Sequence, residues 1–221
     1  MNVVIKLFYL LIIRPWLKLI IGVQFKNRTQ LKDLDQFIIV ANHNSHFDSL
    51  SIMAAMPINK LKKIKAVAAG DYFGKKKLTR NLMKWFFNAI LINRNRKAGE
   101  PSIIEVLDTT LKEGNSLILY PEGSRGKPGV ISDFKKGIAI LLKQNPNVPF
   151  IPVYLDGFGR VLPKDKKLIV PLVCKVRFGT PIYNHEENID LILAEVKKAI
   201  LVLKDQDERD RNQFTFITEK E

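Results

Sequence analysis

His43 and Asp48 are the residues whose types and spacing best suit chemistry. They stand in Asn42-His43-Asn44-Ser45-His46-Phe47-Asp48, a histidine followed five residues on by an aspartate. On one regular helix, residues five apart point about 140° away from each other. If His43 instead lies in a loop before a helix N-terminus, the chain folds back and Asp48 accepts its ring N–H. That contact sets the tautomer and strengthens the imidazole as a base able to deprotonate a hydroxyl. The same spacing suits a histidine that only caps a helix. A metal reading would use His43, His46 and Asp48 as ligands. It lacks partners, because only His185 and scattered carboxylates remain to complete the set.

A second constellation is Tyr120-Pro121-Glu122-Gly123-Ser124-Arg125-Gly126. Its two glycines let backbone N–H groups approach an anion, and Arg125 can fork onto phosphate oxygens. Glu122 can orient that arginine or a substrate hydroxyl. An ordinary strand-to-loop turn with a surface ion pair fits the same residues. Ser124 follows Gly123 but precedes Arg125, so it lacks the flanking glycines of a nucleophile elbow. Neither a Walker A lysine pattern nor a paired-glycine dinucleotide fingerprint occurs, so ATP and NAD are not indicated.

These residues need elements to hold them. Phe37–Ala41 reads as a buried strand, and Phe47–Met56 as a helix stopped by Pro57. Val67–Ala69, Ala89–Ile92, Ser116–Tyr120, Pro149–Leu155 and Leu172–Phe178 read as further strands. Helices are expected over Leu78–Asn88, from Pro101 to Glu113 with Gly114 at the C-terminal cap, over Lys136–Lys143 and over Asn188–Lys204. Alternating strands and helices argue an α/β layered fold around a mainly parallel central sheet flanked by helices. In such sheets, ligands sit at the carboxyl ends of strands. The loops beginning at Asn42, Asn93 and Pro121 each follow a strand and are expected along one edge. Cys174 falls in a strand pattern and reads as core.

The 221 residues are 46% hydrophobic and 26% charged, which excludes a disordered or fibrous chain, and one cysteine excludes an internal disulfide framework. The net charge of +14 is concentrated. Residues 1–30 carry Lys6, Arg14, Lys18, Lys26 and Arg28 with no acid, and residues 60–97 carry twelve Lys or Arg against Asp71 alone. An anionic partner is implied: nucleic acid, a membrane surface or a phosphorylated substrate. Tyr72-Phe73 and Trp85-Phe86-Phe87 interleave the second block, which suits either of the first two. The N-terminus decides between them. Residues 3–25 are mostly apolar, yet no charge-free run exceeds the seven residues Leu7–Ile13 or Leu19–Phe25, too short for a clean span. On one helix, Lys6, Arg14 and Lys18 fall within an arc of about 120°, leaving a wide apolar face. Such a segment lies in a membrane interface, with Lys and Arg reaching headgroups and Tyr9 and Trp16 at the boundary. Pro15 is expected to split it into two short helices.

Taken together, Asn42-His43-(four residues)-Asp48 and Tyr120-Pro121-Glu122-Gly123-Ser124-Arg125 resemble the 1-acyl-sn-glycerol-3-phosphate acyltransferase family. Asn88-Ala89-Ile90-Leu91-Ile92-Asn93-Arg94 resembles the family's Gly-x-Ile-Phe-Ile-Asp-Arg block. Phe134-Lys135-Lys136-Gly137 resembles its Phe-Lys-x-Gly element, and Phe150-Ile151-Pro152-Val153 its last block. The likeness covers roughly residues 35–160, and residues 1–25 match the family's N-terminal membrane helices.

The resemblance implies an enzyme of phospholipid synthesis that moves a fatty acyl group from a thioester to a lysophospholipid hydroxyl, most readily that of lysophosphatidic acid. His43 would be the general base and Asp48 its orienting partner. Arg94, Glu122, Gly123, Ser124 and Arg125 would bind the acceptor. The donor would be acyl-CoA or acyl-carrier protein, with no cofactor, no metal and no nucleic acid. The implied layout is a membrane-associating helical segment (1–28), an acyltransferase domain facing the cytoplasm (29–211) and a polar tail (212–221). Asn88 and Asn93 replace the family's Gly and Asp. Ala69 stands where many members carry a lysine, a charge that Lys75–Lys77 can supply instead. These departures bear on the acceptor more than on the reaction. The rival readings are another lysolipid acceptor, or a non-catalytic basic protein that binds a membrane surface or nucleic acid.

Overall fold

The computed structural model describes residues 3–70, 77–93, 99–161 and 173–218. Arg94, Tyr72, Phe73, Lys75 and Lys76 lie outside them. In chain order the elements are α1 (Val3–Phe8), a π-helical turn (Tyr9–Ile13), α2 (Arg14–Leu19), β1 (Val23–Lys26), a 3-10 turn (Thr29–Lys32), β2 (Ile38–Ala41), α3 (Phe47–Ala55), β3 (Ile64–Ala69), α4 (Lys77–Phe87), β4 (Ile90–Ile92), α5 (Ile103–Lys112), β5 (Ser116–Leu119), α6 (Gly137–Gln144), β6 (Phe150–Asp156), α7 (Phe158–Val161), β7 (Cys174–Phe178) and α8 (Ile189–Thr218).

Among the described residues the strands form one seven-stranded sheet in the order β1-β7-β6-β2-β5-β3-β4. The block β6-β2-β5-β3-β4 is parallel throughout. β7 pairs antiparallel with β6, and β1 pairs parallel with β7, so the outer two strands are reversed. The sheet is therefore mainly parallel, as the alternation of elements required. β2, β4 and β5 all end at the carboxyl edge of the parallel block, and the loops after β2 and β5 leave it side by side.

Strand alternation sorts the helices into layers. Ile39, Ala41, Ile118, Ile151 and Val153 face a core that contains Ile52, Met53 and Ala54 of α3 and Ile5, Tyr9 and Leu17 of the N-terminal helices. Ile38, Val40, Leu117, Leu119 and Phe150 face the other way, onto Leu107, Ile138 and Leu141. The stripe Ile192, Val196, Ile200 and Leu203 lays α8 on that second face. Central β2 is buried on both sides, which is why it reads as an unbroken apolar run.

Several local expectations differ from the structure. Val23–Lys26 is an edge strand, not the end of a helix. Pro15 does not break the N-terminal helix. The flanking residues Ile13 and Arg14 stay helical, and the missing N–H is absorbed by the π turn just before. Arg14 does not reach outward: its Nε donates to Ala54 O at 2.7 Å and its Nη2 donates to Met56 O, satisfying orphan carbonyls where α3 ends. Tyr9 is wholly buried and donates to Phe86 O at 3.1 Å. α8 continues past Lys204 to Thr218. Among the described residues no helix is long and apolar enough to cross a membrane.

Asp207, fully buried on α8, straps that helix to the sheet. It accepts from Lys175 and Arg177 of β7 at 3.3 and 3.2 Å, and from Arg211, which also reaches Asp156 at 2.8 Å. Removing one partner of a buried pair leaves an uncompensated charge. Asp207→Ala is expected to lower unfolding stability by about 3–5 kcal/mol, read from urea denaturation. A loss below about 1 kcal/mol would show that solvent replaces the carboxylate.

Candidate active site

The site begins where β2 leaves the sheet. The Asn42 side chain extends the β2–β6 ladder by one step: its Nδ2 donates to Leu155 O (3.0 Å) and its Oδ1 accepts from Leu155 N (2.8 Å). The next residue can then turn away without leaving β6 unpaired. α3 starts only four residues later, which brings Asp48 in its first turn back beneath the loop.

The Asp48 carboxylate is fully buried. Its Oδ2 accepts from Asn44 N at 2.7 Å, Ser45 N at 2.8 Å and His43 Nδ1 at 2.8 Å. A carboxylate offers only acceptors, so Nδ1 is the donor in this contact, and in the neutral ring Nε2 keeps its lone pair. Placement at a helix N-terminus favours the negative charge. The five-residue spacing thus closes as a loop-to-helix contact, not along one helix.

The rest of the histidine is also fixed. His43 N donates to Glu122 Oε1 (2.8 Å), and His43 O accepts from Gly126 N (2.9 Å). The imidazole stacks on the Tyr120 ring, with centroids 4.0 Å apart and planes 16° from parallel. Tyr120 Oη and Ser49 Oγ are 2.8 Å apart, which holds the tyrosine ring in turn. Burial first, then the charge of Asp48, pushes the Tyr120 phenol well above its usual range, so it stays neutral. The His43 side chain is 21% exposed, leaving a solvent-facing path to the ring.

Glu122 is nearly buried, and both its oxygens are used by backbone donors: Oε1 by His43 and Oε2 by Ser132 N at 2.9 Å. The structure therefore joins Glu122 to His43 through the main chain. At Gly126 a Cβ would stand 3.2 Å from Glu122 Oε2 and 3.1 Å from Ser132 Oγ, so a bare backbone suits that crossing. Gly123, with φ +74°, makes the turn after Glu122. Ser124 is exposed and Arg125 half-buried. Arg125 lies close to the exposed His46. Desolvation first, then Arg125 and His43, holds the His46 imidazole below its ordinary range, against a smaller opposing effect of Asp48. Lys127 and Lys135 stand exposed on the same loop, and Lys135 lies over Gly123. Among the described residues no group of three or more His, Cys, Asp or Glu could hold a metal ion.

One departure from the family block finds its reason here. Asn88 adopts φ +49°, the left-handed conformation that glycine takes most easily and asparagine next. Its Nδ2 donates to Lys62 O (2.8 Å) and Ile64 O (3.0 Å), so the side chain ties α4 to the start of β3. Sequence reasoning missed Ser49 and Ser132 and gave Tyr120 no role. A polar or aromatic residue at a strand end carries no signal of which ring it will meet.

The acyltransferase family model matches residues 22–156. The chain is 27% identical over 169 residues to the 1-acyl-sn-glycerol-3-phosphate acyltransferase alpha of Mus musculus, covering 73% of this chain and 55% of that protein. To the Homo sapiens protein of the same name it is 28% identical over 152 residues, covering 66% and 50%. It therefore spans about half the length of these curated relatives. The crystal structure of the 1-acyl-sn-glycerophosphate (LPA) acyltransferase PlsC from Thermotoga maritima superposes with a TM-score of 0.65 at 22% identity, covering 90% of this chain and 78% of that one. The shared fold and a family match over more than half its length place this chain in the acyltransferase family.

Proposed function

We propose that the chain is a membrane-docked O-acyltransferase that moves a fatty acyl group from a thioester to the free hydroxyl of a lysophospholipid, lysophosphatidic acid foremost. The observation that carries the reading is the His43–Asp48 contact of 2.8 Å, with Asp48 buried and held by two backbone amides. A base so oriented needs no help from a nucleophilic side chain, because a thioester already has a good leaving group.

The reaction balances with these groups alone. His43 Nε2 takes the proton of the acceptor hydroxyl as its oxygen bonds to the thioester carbonyl carbon. Asp48 stabilises the imidazolium that forms. The tetrahedral adduct collapses, the carbon–sulfur bond breaks, and the departing thiolate takes the proton from Nε2. The products are the acylated phospholipid and the free thiol of coenzyme A or of an acyl-carrier protein.

Arg125, Lys127 and Lys135 line the loop beside His43 and suit the acceptor phosphate. Glu122 acts as a positioning residue, holding the His43 main chain to the loop that carries these cations. Arg94 completes the family's phosphate-binding set and lies outside the described residues. The 1–28, 29–211 and 212–221 layout stands as part of this proposal, with β1 entering the sheet before its first boundary. Membrane docking fits the exposed aliphatic residues Val3, Val4, Leu7, Leu10, Leu11, Ile12, Leu19 and Ile20, a patch that a soluble protein seldom leaves bare. Docked there, the enzyme meets lysolipid without drawing its chain into water, at about 0.8 kcal/mol per methylene. The domain then faces the compartment that holds the thioester donors, the cytoplasm.

The deciding experiment presents purified protein in detergent with a panel of lysolipids against acyl-CoA and acyl-carrier protein. Product from lysophosphatidic acid supports the reading; no acyl transfer to any lysolipid removes it. His43→Ala should fold normally and lose about 10²–10⁴-fold or more in kcat, and Asp48→Asn should also be severely impaired. Wild-type turnover in a folded His43→Ala protein would exclude the mechanism. Arg125→Ala should chiefly raise the acceptor KM, measured at saturating donor. A rise in donor KM alone would assign that loop to the thioester. Glu122→Gln sets an amide N–H against a backbone N–H, so stability should fall by about 1–3 kcal/mol and kcat should fall with it. Full stability with a raised acceptor KM would instead make Glu122 a direct acceptor ligand.

A further inference from the structure

Helix α4 has more apolar surface than its packing uses. Phe86 meets Phe8 edge-on with ring centroids 5.4 Å apart, and Phe87 packs against the core around α3. Leu78, 79% exposed, and Leu82, 48%, are turned away from these contacts, and Trp85, 47% exposed, meets Phe86 edge-on with ring centroids 4.8 Å apart. They are spaced i, i+4 and i+7, which makes one continuous stripe along the helix. Lys77, Arg80 and Lys84, all exposed, lie together along one side of that stripe, and α4 holds no acidic residue. The Phe8 contact sets α4 beside the N-terminal helix, whose own exposed side carries Val4, Leu7 and Leu11.

We infer that the Leu78–Leu82–Trp85 stripe is a second membrane-inserting surface, seated in an anionic lipid leaflet alongside the N-terminal helix. The inference rests on the membrane-docked reading and adds to it a named contact. Charge complementarity chooses the occupant. A leaflet takes the apolar stripe into its acyl boundary and the three cations among anionic headgroups at once. A protein partner would need an apolar groove with acids placed along the rim that meets these cations. Two contacts side by side would also fix how the carboxyl edge of the sheet meets the bilayer, which a single helix, free to roll about its axis, would not.

Trp16→Phe leaves Trp85 as the sole tryptophan of the two in the chain. The full-length variant is mixed with vesicles of phosphatidylcholine and phosphatidylglycerol. Trp85 emission should shift to the blue, be quenched by lipid spin-labelled near the headgroup, and become protected from iodide. In the full chain, Leu82→Asp should lower the vesicle partition coefficient by about tenfold or more, with acyl transfer to detergent-dispersed lysolipid unchanged. Trp85 still open to iodide while the protein floats with vesicles would overturn the inference and leave the N-terminal helix as the anchor. Trp85 shielded before any vesicle is added, with a doubled mass in solution, would overturn it in favour of a second copy. A protein that never floats would overturn both this inference and the docked reading, whereas acyl transfer in detergent is judged apart from either.

Discussion

A buried carboxylate needs hydrogen bonds in place of the water it has lost; Asp48 gathers its hydrogen bonds on Oδ2, its buried Oδ1 making none, and that constraint organises the site. Oδ2 draws two backbone amides and the His43 ring onto one point. The loop after β2 must therefore fold over the first turn of α3, and the imidazole has one orientation in which Nδ1 meets the acid. In the proposed reaction this leaves Nε2, the nitrogen that does not meet Asp48, as the atom that acts as base, on a side chain 21% exposed. Orientation is thus set by the requirement to satisfy Asp48, before any substrate arrives.

The parallel sheet supplies the second constraint. Strands β2 and β5 are neighbours with Val40 opposite Leu119, so the loops that leave them emerge side by side. Glu122 exploits that proximity. Each of its oxygens accepts one backbone N–H, one from each loop segment, and so the histidine and the cationic loop move as one piece. Tyr120, at the end of β5, closes the floor beneath the imidazole. His43 and the cations suited to an acceptor phosphate are coupled through backbone, which in the proposed reaction resists the small displacements to which proton transfer is sensitive.

Much of this was legible in the sequence, for identifiable reasons. The parallel core strands read clearly because burial on both faces leaves runs such as Ile38-Ile39-Val40-Ala41 without polar interruption. The amphipathic stripe of α8 left a plain periodic signal, whereas α5 starts later than Pro101 suggested, with Ser102 as its N-cap in a capping box with Glu105. The reversed direction of β7 and β1 was not legible, because strand direction is set by connections and not by composition. β1 itself was hidden, since Val23-Gln24-Phe25-Lys26 continues an apolar stretch and its partner Cys174–Phe178 lies far along the chain. Tyr9 was expected at the membrane boundary and lies inside, and Arg14 was expected to reach outward and is half-buried against the end of α3. Their polar atoms are claimed by Ala54, Met56 and Phe86, carbonyls that only the folded chain brings near. The two backbone contacts of Glu122, one to His43 N in the neighbouring loop and one to Ser132 N in its own, were not legible either, because only the folded chain brings those amides near.

The central claim is that Asp48 holds the His43 proton on Nδ1 and leaves Nε2 free. Nitrogen-15 NMR of the histidine rings reads this directly, with the His43 signals assigned by their loss in His43→Gln. In its neutral form, His43 should show a protonated, pyrrole-type Nδ1 and an unprotonated, pyridine-type Nε2. Asp48→Asn should disturb that pattern without unfolding the chain. A neutral His43 with its proton on Nε2, or one whose tautomer is indifferent to Asp48, would contradict the claim.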